Sequence, residues 1–279
     1  MYPAEFDYHR PGSVADAIKL LQDNPEAKLL AGGHSLLPVM KLRLAQPTAL
    51  IDISSLSELS GVSEDGDALV IGANTTYHDL MNSSVIKNKL PVLAEASDLV
   101  GDVQVRNKGT IGGAAAHADP ASDLPAVLLA LNAEFKTVGP SGEKTHKATD
   151  FFVDMFTTTL EPEEVLTEIR IPDVSNVAGA TYLKFAHPAS GYAIVGIAAV
   201  KTASGEVRAA VTGSVPIAVR LSAVESEISG KDLSDDNIAA AAEKATEGMD
   251  FVGDIHASDE YRAHLTKVYT KRALKKIAG

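Results

Sequence analysis

The stretch AGGHSL at residues 31–36 directly follows a short apolar segment that is predicted to be a strand. A second stretch, GTIGGA at residues 109–114, also contains a pair of adjacent glycines. Paired glycines let the backbone approach a ligand closely and adopt positive φ angles. Successive free N–H groups then form a concavity that binds anions. Neither stretch contains a lysine, so a phosphate here would be held by backbone dipoles. Two such stretches suit a pyrophosphate, although either pair taken alone is more simply interpreted as a tight turn.

The common nucleotide-binding motifs are absent from both stretches. The chain has no GxxxxGK[ST] P-loop and no GxGxxG followed about 20 residues later by an acidic residue. The second stretch leads to His117, Asp119 and Asp123, whose spacing would permit a metal site. A helix start with capping carboxylates is the simpler interpretation, and Asp123 could also accept hydrogen bonds from a sugar or an adenine. No Ser-His-Asp triad is recognisable.

Composition narrows the possible chemistry further. The 279 residues include no Cys, which excludes disulfides, a thiolate nucleophile, Cys-type zinc sites and Cys-ligated iron–sulfur clusters. Lys and Arg number 25 against 37 Asp and Glu, and the net charge of −12 argues against binding to nucleic acid or an anionic membrane surface. The longest apolar run, 193–200, is too short to span a bilayer, and the N-terminus lacks a signal-peptide pattern. We therefore expect a cytoplasmic protein.

Hydrophobic patterning predicts an α+β chain, in which strands are followed by segregated helices. Ser13 and Asp16 indicate the start of an amphipathic helix between two N-terminal strands. Strands are predicted at 28–31, 50–53, 69–73, 134–138, 165–171, 181–186, 193–200 and 207–212, and helices after Ser13, at 91–99, after Ser122 or Asp123, at 236–247 and after Ser258. The stretch 173–177 is typical of a linker, so we expect three parts: 1–55, 56–175 and 176–279.

Lys184 and Tyr192 flank the loop 187–191 in the third part. A lysine on a strand usually faces solvent, and a tyrosine at the start of an apolar strand is more simply a core or rim residue. Periodicity alone assigns neither of them to a site.

The longer segments AGGHSLLPVMKLRLAQPTALIDIS (31–54) and KGTIGGAAAHADPASDLPAVLLALNAEF (108–135) resemble the flavin-binding medium subunits of the molybdenum hydroxylases. The chain is most similar to those of aerobic carbon monoxide dehydrogenase, and more distantly to the flavin domain of xanthine dehydrogenase. The resemblance covers essentially the whole chain. It implies a two-lobed FAD-binding domain of the PCMH (vanillyl-alcohol-oxidase-like) type, and a C-terminal α+β domain with a three-stranded antiparallel sheet and helices.

The resemblance also implies non-covalent FAD, with its pyrophosphate between the two glycine stretches. Asp123 would hold the ribose or adenine side, Lys184 would approach the flavin ring and Tyr192 would cover one face of it. The residues implied to bind the cofactor are Ala31, Gly32, Gly33, His34, Ser35, Leu36, Val100, Thr110, Ile111, Gly112, Gly113, Ala114, His117, Ser122, Asp123, Leu166, Lys184 and Tyr192. No catalytic residue and no metal ligand is implied.

The chain departs from the family pattern at two places. Ala114 stands where the second stretch commonly has Asn, which removes a side-chain amide. His187, Pro188 and Ala189 stand where many relatives carry Arg or Lys. Because basic residues near a flavin would tune its potential and its docking surface, the second departure bears on the partner and the electron acceptor.

By the same resemblance, the chain is the electron-transfer subunit of a heteromeric molybdenum hydroxylase of the carbon monoxide, aldehyde or xanthine dehydrogenase type. Its partners would be a large molybdopterin subunit and a small [2Fe–2S] subunit, in a dimer of heterotrimers. Only those partners would carry molybdenum–pterin and iron–sulfur centres. Two alternatives stay open. A self-contained PCMH-type flavin oxidoreductase needs an acid/base residue that the sequence does not reveal, and intact glycines oppose a cofactor-free assembly protein.

Overall fold

The N-terminal part of the chain forms a small parallel sheet. The structure, a computed structural model, describes residues 2–279. The Ser13 hydroxyl accepts a hydrogen bond from the Asp16 N–H at the start of the first helix, which confirms the predicted helix start. The strands lie in the order β1-β3-β2. The elements are β1 (Asp7–His9), α1 (Val14–Asp23), β2 (Lys28–Leu30), α2 (Leu36–Lys41) and β3 (Ala49–Asp52).

The middle of the chain is an antiparallel sheet of five strands with short helices around it. The strands are β4 (Val62–Asp65), β5 (Ala68–Gly72), β6 (Glu134–Gly139), β7 (Gly142–Lys147) and β10 (Val165–Ile171), and a separate pair is β8 (Phe152–Asp154) and β9 (Thr157–Thr158). The order in the sheet is β4-β5-β10-β6-β7. The helices are α3 (Tyr77–Asn82), α4 (Ser84–Lys89), α5 (Pro91–Asp98), α6 (Val103–Arg106), α7 (Ile111–His117), α8 (Leu124–Ala130) and α9 (Ala148–Phe151).

An antiparallel sheet of four strands and three helices completes the chain. The strands, in spatial order, are β11 (Val177–Ala186), β12 (Ala193–Thr202), β13 (Val207–Thr212) and β14 (Val219–Arg220). The helices are α10 (Ser222–Ile228), α11 (Asp235–Glu243) and α12 (Asp259–Ala278). The sequence predicts the first three strands. The fourth, β14, consists of two residues, which is too short for the alternation by which a strand is recognised.

The C-terminal sheet has two buried faces, and one of them belongs to the core of the middle part. Along β12, Ala198 and Val200 join the hydrophobic cluster that contains α8, whereas Ile197 and Ala199 join the cluster that contains α12. Because side chains alternate along a strand, a strand packed on both faces is apolar throughout. This explains the apolar run at 193–200.

The combination of sheets and helices confirms the predicted α+β class. Each of the three large sheets lies within one of the three predicted parts, and the boundaries at 55 and 175 stay predictions. Within residues 2–279, no helix is both long enough and apolar enough to cross a membrane.

Hydrogen bonds tie the C-terminal sheet to the segment 119–123, which precedes α8. The Thr212 hydroxyl lies 2.8 Å from the carbonyl oxygens of Pro120 and Ser122, and the Gly213 N–H donates to Pro120 at 2.7 Å. The buried Arg262 guanidinium in turn donates to the carbonyl of Gly213. The third part of the chain therefore holds in place a segment that belongs to the second.

Candidate functional site

A cavity of about 850 Å³ is lined by residues from all three parts of the chain. Both glycine stretches contribute to its wall. The predicted site residues on this wall are Ala31, Gly32, Gly33, His34, Ser35, Leu36, Val100, Thr110, Gly112, Gly113, Ala114, His117, Ser122, Asp123, Leu166 and Tyr192. Two predicted site residues, Ile111 and Lys184, do not line it.

The first glycine stretch is an open loop between β2 and α2. Gly33 has a φ of +72°, a left-handed conformation that favours glycine. A Cβ on Gly32 would overlap the carbonyl oxygen of Lys108, so this loop touches the residue just before the second stretch. Among residues 2–279, no acceptor is hydrogen-bonded to the backbone N–H groups of residues 32–36. These successive donors are free for a ligand, as expected for an anion-binding concavity.

The second glycine stretch is the first turn of α7 rather than a loop. The hydroxyl of Thr110, the N-cap residue, accepts a hydrogen bond from the Gly113 N–H at 3.0 Å. The N–H groups of Ile111 and Gly112 donate to carbonyls of the segment after β5, and that of Ala114 donates to Thr110. These donors are satisfied within the protein. The expectation of free N–H groups is therefore wrong for residues 111–114.

Close packing explains the residue types of α7. A Cβ on Gly112 would lie 2.6 Å from the carbonyl oxygen of Ala73, so a glycine is needed where the helix meets the end of β5. Ile111 is fully buried in the middle core, so its side chain packs against the protein rather than lining the cavity, and its place at the cofactor stays a prediction. The sequence Gly-Gly-Ala-Ala-Ala has no apolar periodicity from which a helix could be predicted.

Asp123 lies at a buried, charged corner of the cavity. Its Oδ1 accepts a hydrogen bond from the Tyr182 hydroxyl at 2.5 Å, and its Oδ2 accepts one from Lys184 Nζ at 2.8 Å. Lys184 Nζ also donates to the carbonyl of Leu99 at 2.9 Å, and its side chain is only 3% exposed. Burial raises the pKa of Asp123, whereas the charge and hydrogen bond of Lys184, and the hydrogen bond of Tyr182, act against that rise.

The contacts of Asp123 and Lys184 contradict several interpretations of the sequence. The carboxylate of Asp123 makes no capping hydrogen bond to α8, and Lys184 does not face solvent. The ion pair also brings Asp123 and Lys184 to one place, so they do not serve opposite ends of a dinucleotide. Sequence reasoning missed Tyr182, although its position two residues before Lys184 puts it on the same face of β11.

Aromatic and histidine side chains lie along the rim. Tyr192 is 52% exposed, and partial burial raises its pKa. The His117 ring lies 5.1 Å from that of Phe156, and burial lowers the pKa of His117. Phe156 has a φ of +55°, for which the sequence carries no signal, and it was not predicted. In the described part of the chain, no group of three or more His, Asp or Glu side chains is placed to hold a metal ion.

The sequence comparisons match one kind of protein, the flavin-binding subunit of a dehydrogenase. Residues 4–174 match the FAD-binding domain of molybdopterin dehydrogenases, and residues 180–277 match the C-terminal domain of the carbon monoxide dehydrogenase flavoprotein. The chain is 42% identical to the medium chain of carbon monoxide dehydrogenase from Hydrogenophaga pseudoflava, over 98% of this chain and 97% of the relative. It is 39% identical to the medium chain of glyceraldehyde dehydrogenase from Sulfolobus acidocaldarius, over 100% of both chains.

A solved structure agrees with these matches. It is that of carbon monoxide dehydrogenase from Hydrogenophaga pseudoflava, in a form that lacks the Mo-pyranopterin moiety of its molybdenum cofactor. The two structures superpose with a TM-score of 0.96 at 42% identity. The alignment covers 99% of this chain and 98% of the other.

Proposed function

The chain belongs to the FAD-binding medium subunits of the molybdenum hydroxylases, and from this premise we propose that it transfers electrons within such an enzyme. It is a flavoprotein subunit of an oxidoreductase, and its cofactor is FAD. In the proposed role it takes electrons from [2Fe–2S] clusters on a partner subunit and passes them to an external acceptor such as a quinone, NAD⁺ or oxygen. FAD supplies the redox chemistry, and the chain binds, orients and tunes it.

The fit between the cavity and FAD carries this proposal. Cofactor sites are concave and typically enclose about 300–1,000 Å³, and this cavity encloses about 850 Å³. The free N–H groups of residues 32–36 supply donors for a pyrophosphate. Lys28 is the single lysine or arginine that lines the cavity within residues 2–279. Backbone donors rather than side-chain cations would therefore hold the phosphates, without a covalent link.

The other side chains of the cavity would contact different parts of FAD. Asp123 and Lys184 form one charged corner, which would orient a single end of the cofactor. Val100 and Leu166 supply apolar wall, and Tyr192 stands at the rim, where it would cover one face of the ring system. We propose that none of these residues acts as an acid, base or nucleophile on an organic substrate.

Substrate recognition is assigned to another subunit. The chain is similar to medium chains of a carbon monoxide dehydrogenase and of a glyceraldehyde dehydrogenase at almost equal identity, 42% and 39%. Because these substrates have little chemistry in common, we infer that the medium chain is not where they are distinguished. We propose a large molybdopterin subunit and a small [2Fe–2S] subunit as partners, in a dimer of heterotrimers located in the cytoplasm.

Reconstitution of the purified full chain tests the proposal. The chain mixed with FAD and passed through a desalting column should emerge yellow, with flavin absorbance. Alone it should oxidise neither aldehydes nor purines, and it should gain electron-transfer activity when the two partner subunits are added. Turnover of an organic substrate by the isolated chain would favour a self-contained oxidoreductase. A calorimetric titration without FAD binding would favour an assembly protein.

A further inference from the structure

The C-terminal sheet presents a polar patch to the segment 119–123. Tyr182 and Lys184 lie on the same face of β11, because they are two residues apart. In the register of the sheet, Lys184 pairs with Gly196 of β12, and Gly196 pairs with Thr212 of β13. Thr212 bonds the backbone of this segment, whereas Tyr182 and Lys184 bond the side chain of Asp123.

Gly196 gives the Tyr182 hydroxyl its place in this patch. A Cβ on Gly196 would overlap the Tyr182 hydroxyl oxygen and lie 2.8 Å from Cγ2 of Thr212. The phenol ring therefore leans across β12 over a residue without a side chain. Tyr182 itself is 2% exposed, so its hydroxyl is shielded from water and directed at one acceptor, Asp123.

The Asp123 carboxylate has acceptor capacity beyond these two protein donors. An ionised carboxylate offers about four lone-pair sites, and Tyr182 and Lys184 each use one. Asp123 also lines the cavity, so the remaining sites are available to a hydroxyl or N–H group of a ligand. A protonated carboxyl would instead present a donor, and it would leave the buried Lys184 without its counterion.

We propose that Tyr182 is a positioning residue for FAD: its hydroxyl keeps the Asp123 carboxylate ionised and oriented, so that Asp123, held by its ion pair with Lys184, receives one end of the cofactor. The inference rests on the proposed function, since it takes Asp123 as part of the FAD site. Its physical basis is that burial disfavours a charged carboxylate, whereas hydrogen bonds to the charged form favour it. Tyr182 and Lys184 are the two side chains that supply those bonds.

Three other titratable groups line the cavity together with Asp123: Asp119 on the same segment, Tyr77 and Tyr192. Tyr77 of α3 and Tyr192 at the rim both have raised pKa values, chiefly because of burial, and stay protonated at neutral pH. Lys184 is thus the cation that faces Asp123, and Tyr182 is the neutral donor bonded to it.

The test compares the full-length wild type with Tyr182→Phe, which removes the hydroxyl and keeps the ring. The FAD dissociation constant is measured from pH 4.5 to 8 by flavin fluorescence. Wild-type affinity should fall on the acid side, and the midpoint of that fall should rise by about one pH unit in Tyr182→Phe, the size expected for one hydrogen bond to a charged group. Halfway between the two midpoints the variant should bind about threefold more weakly, and the difference should approach about tenfold below both midpoints.

Two further variants separate positioning from general stability. Tyr269→Phe, on the C-terminal helix, removes a tyrosine hydroxyl far along the chain from Asp123 and should leave the wild-type pH profile unchanged. Asp123→Asn should bind FAD weakly at every pH. A ¹³C carboxyl titration of Asp123 in the FAD-free chain gives a readout that is independent of cofactor binding, and Tyr182→Phe should raise its midpoint by the same amount.

The outcomes distinguish the inference from the proposed function. One contrary outcome is that Tyr182→Phe lowers the melting temperature while the pH dependence of FAD affinity and the carboxyl titration of Asp123 both stay as in the wild type. That result would overturn the inference and leave the proposed FAD site intact. If Asp123→Asn binds FAD like the wild type, or the wild type does not bind it, the proposed site fails and the inference fails with it.

Discussion

The two glycine stretches, residues 31–36 and 109–114, have similar sequences but different structural roles. Residues 32–36 form a loop whose backbone N–H groups are free within the described chain, whereas the N–H groups of residues 111–114 are bonded inside the protein. Gly33 needs its positive φ, and Gly112 needs the space beside Ala73. A glycine pair therefore does not by itself identify a ligand loop. The first stretch presents donors to the cavity, and the second forms the first turn of a helix that also lines it.

The largest effect should come from Gly32→Val, because this position joins the two stretches. The new Cβ would overlap the backbone carbonyl of Lys108, which cannot rotate away as a side chain can. We expect a loss of about 3 kcal/mol in the free energy of unfolding, at the upper end of overpacking effects, together with loss of FAD retention. Chemical denaturation and flavin absorbance after desalting measure both, with Gly12→Val at an exposed, uncrowded glycine as the control.

Gly33→Val tests the loop alone. A left-handed conformation costs a residue with a side chain about 1–2 kcal/mol, so the loop should abandon the geometry that presents its N–H groups, and FAD should be lost on desalting. Gly66→Val is the matched control, since Gly66 has a φ of +61° and no neighbouring atom lies within 4 Å of the place that a Cβ would occupy. It should suffer a similar loss of stability and keep FAD. Equal flavin content in both variants would contradict the role given to the first stretch.

Thr110→Ala tests the second stretch. Removing the N-cap hydroxyl that accepts from Gly113 should cost about 1 kcal/mol of stability, measured by urea denaturation. Since the donors of residues 111–114 are bonded internally, FAD retention should fall less than in Gly33→Val. Thr110→Ser should preserve both properties. Complete loss of FAD in Thr110→Ala would show that the second stretch binds the cofactor as directly as the first.

The smallest effect concerns His117, in the last turn of α7. Burial lowers the pKa of His117 below its ordinary value of 6.5, so the unfolded chain binds this proton more readily than the folded chain. Stability from the neutral imidazole is therefore present above pH 6.5 and falls as the pH drops through that value toward the folded-state pKa. The melting temperature of His117→Gln should depend less steeply on pH between about 5 and 7. His264→Gln, at an exposed histidine of α12, provides the same substitution away from the cavity for comparison.

Local sequence patterns predicted much of the fold, and they predicted the first glycine stretch as one part of the candidate site. Ser13 with Asp16 indicated α1, alternation predicted β10, and a continuous apolar run predicted β12. The helical state of α7 was not predictable from Gly-Gly-Ala-Ala-Ala, because its stability comes from packing on Ala73 and not from its own pattern. The pairing of Asp123 with Lys184 joins residues 61 positions apart, so only the folded chain reveals it.

The bonds from Thr212 and Gly213 to Pro120 have a consequence for how the protein is made. A ribosome releases the glycine stretches and Asp123 long before β11 and β13 leave its exit tunnel. The corner that contains Asp123 is complete only when Lys184 and Tyr182 have emerged, and the segment before α8 is held only when Thr212 has followed. The corner and the segment that line the cavity are therefore completed late in translation, and a chain that terminated before Thr212 would lack these contacts.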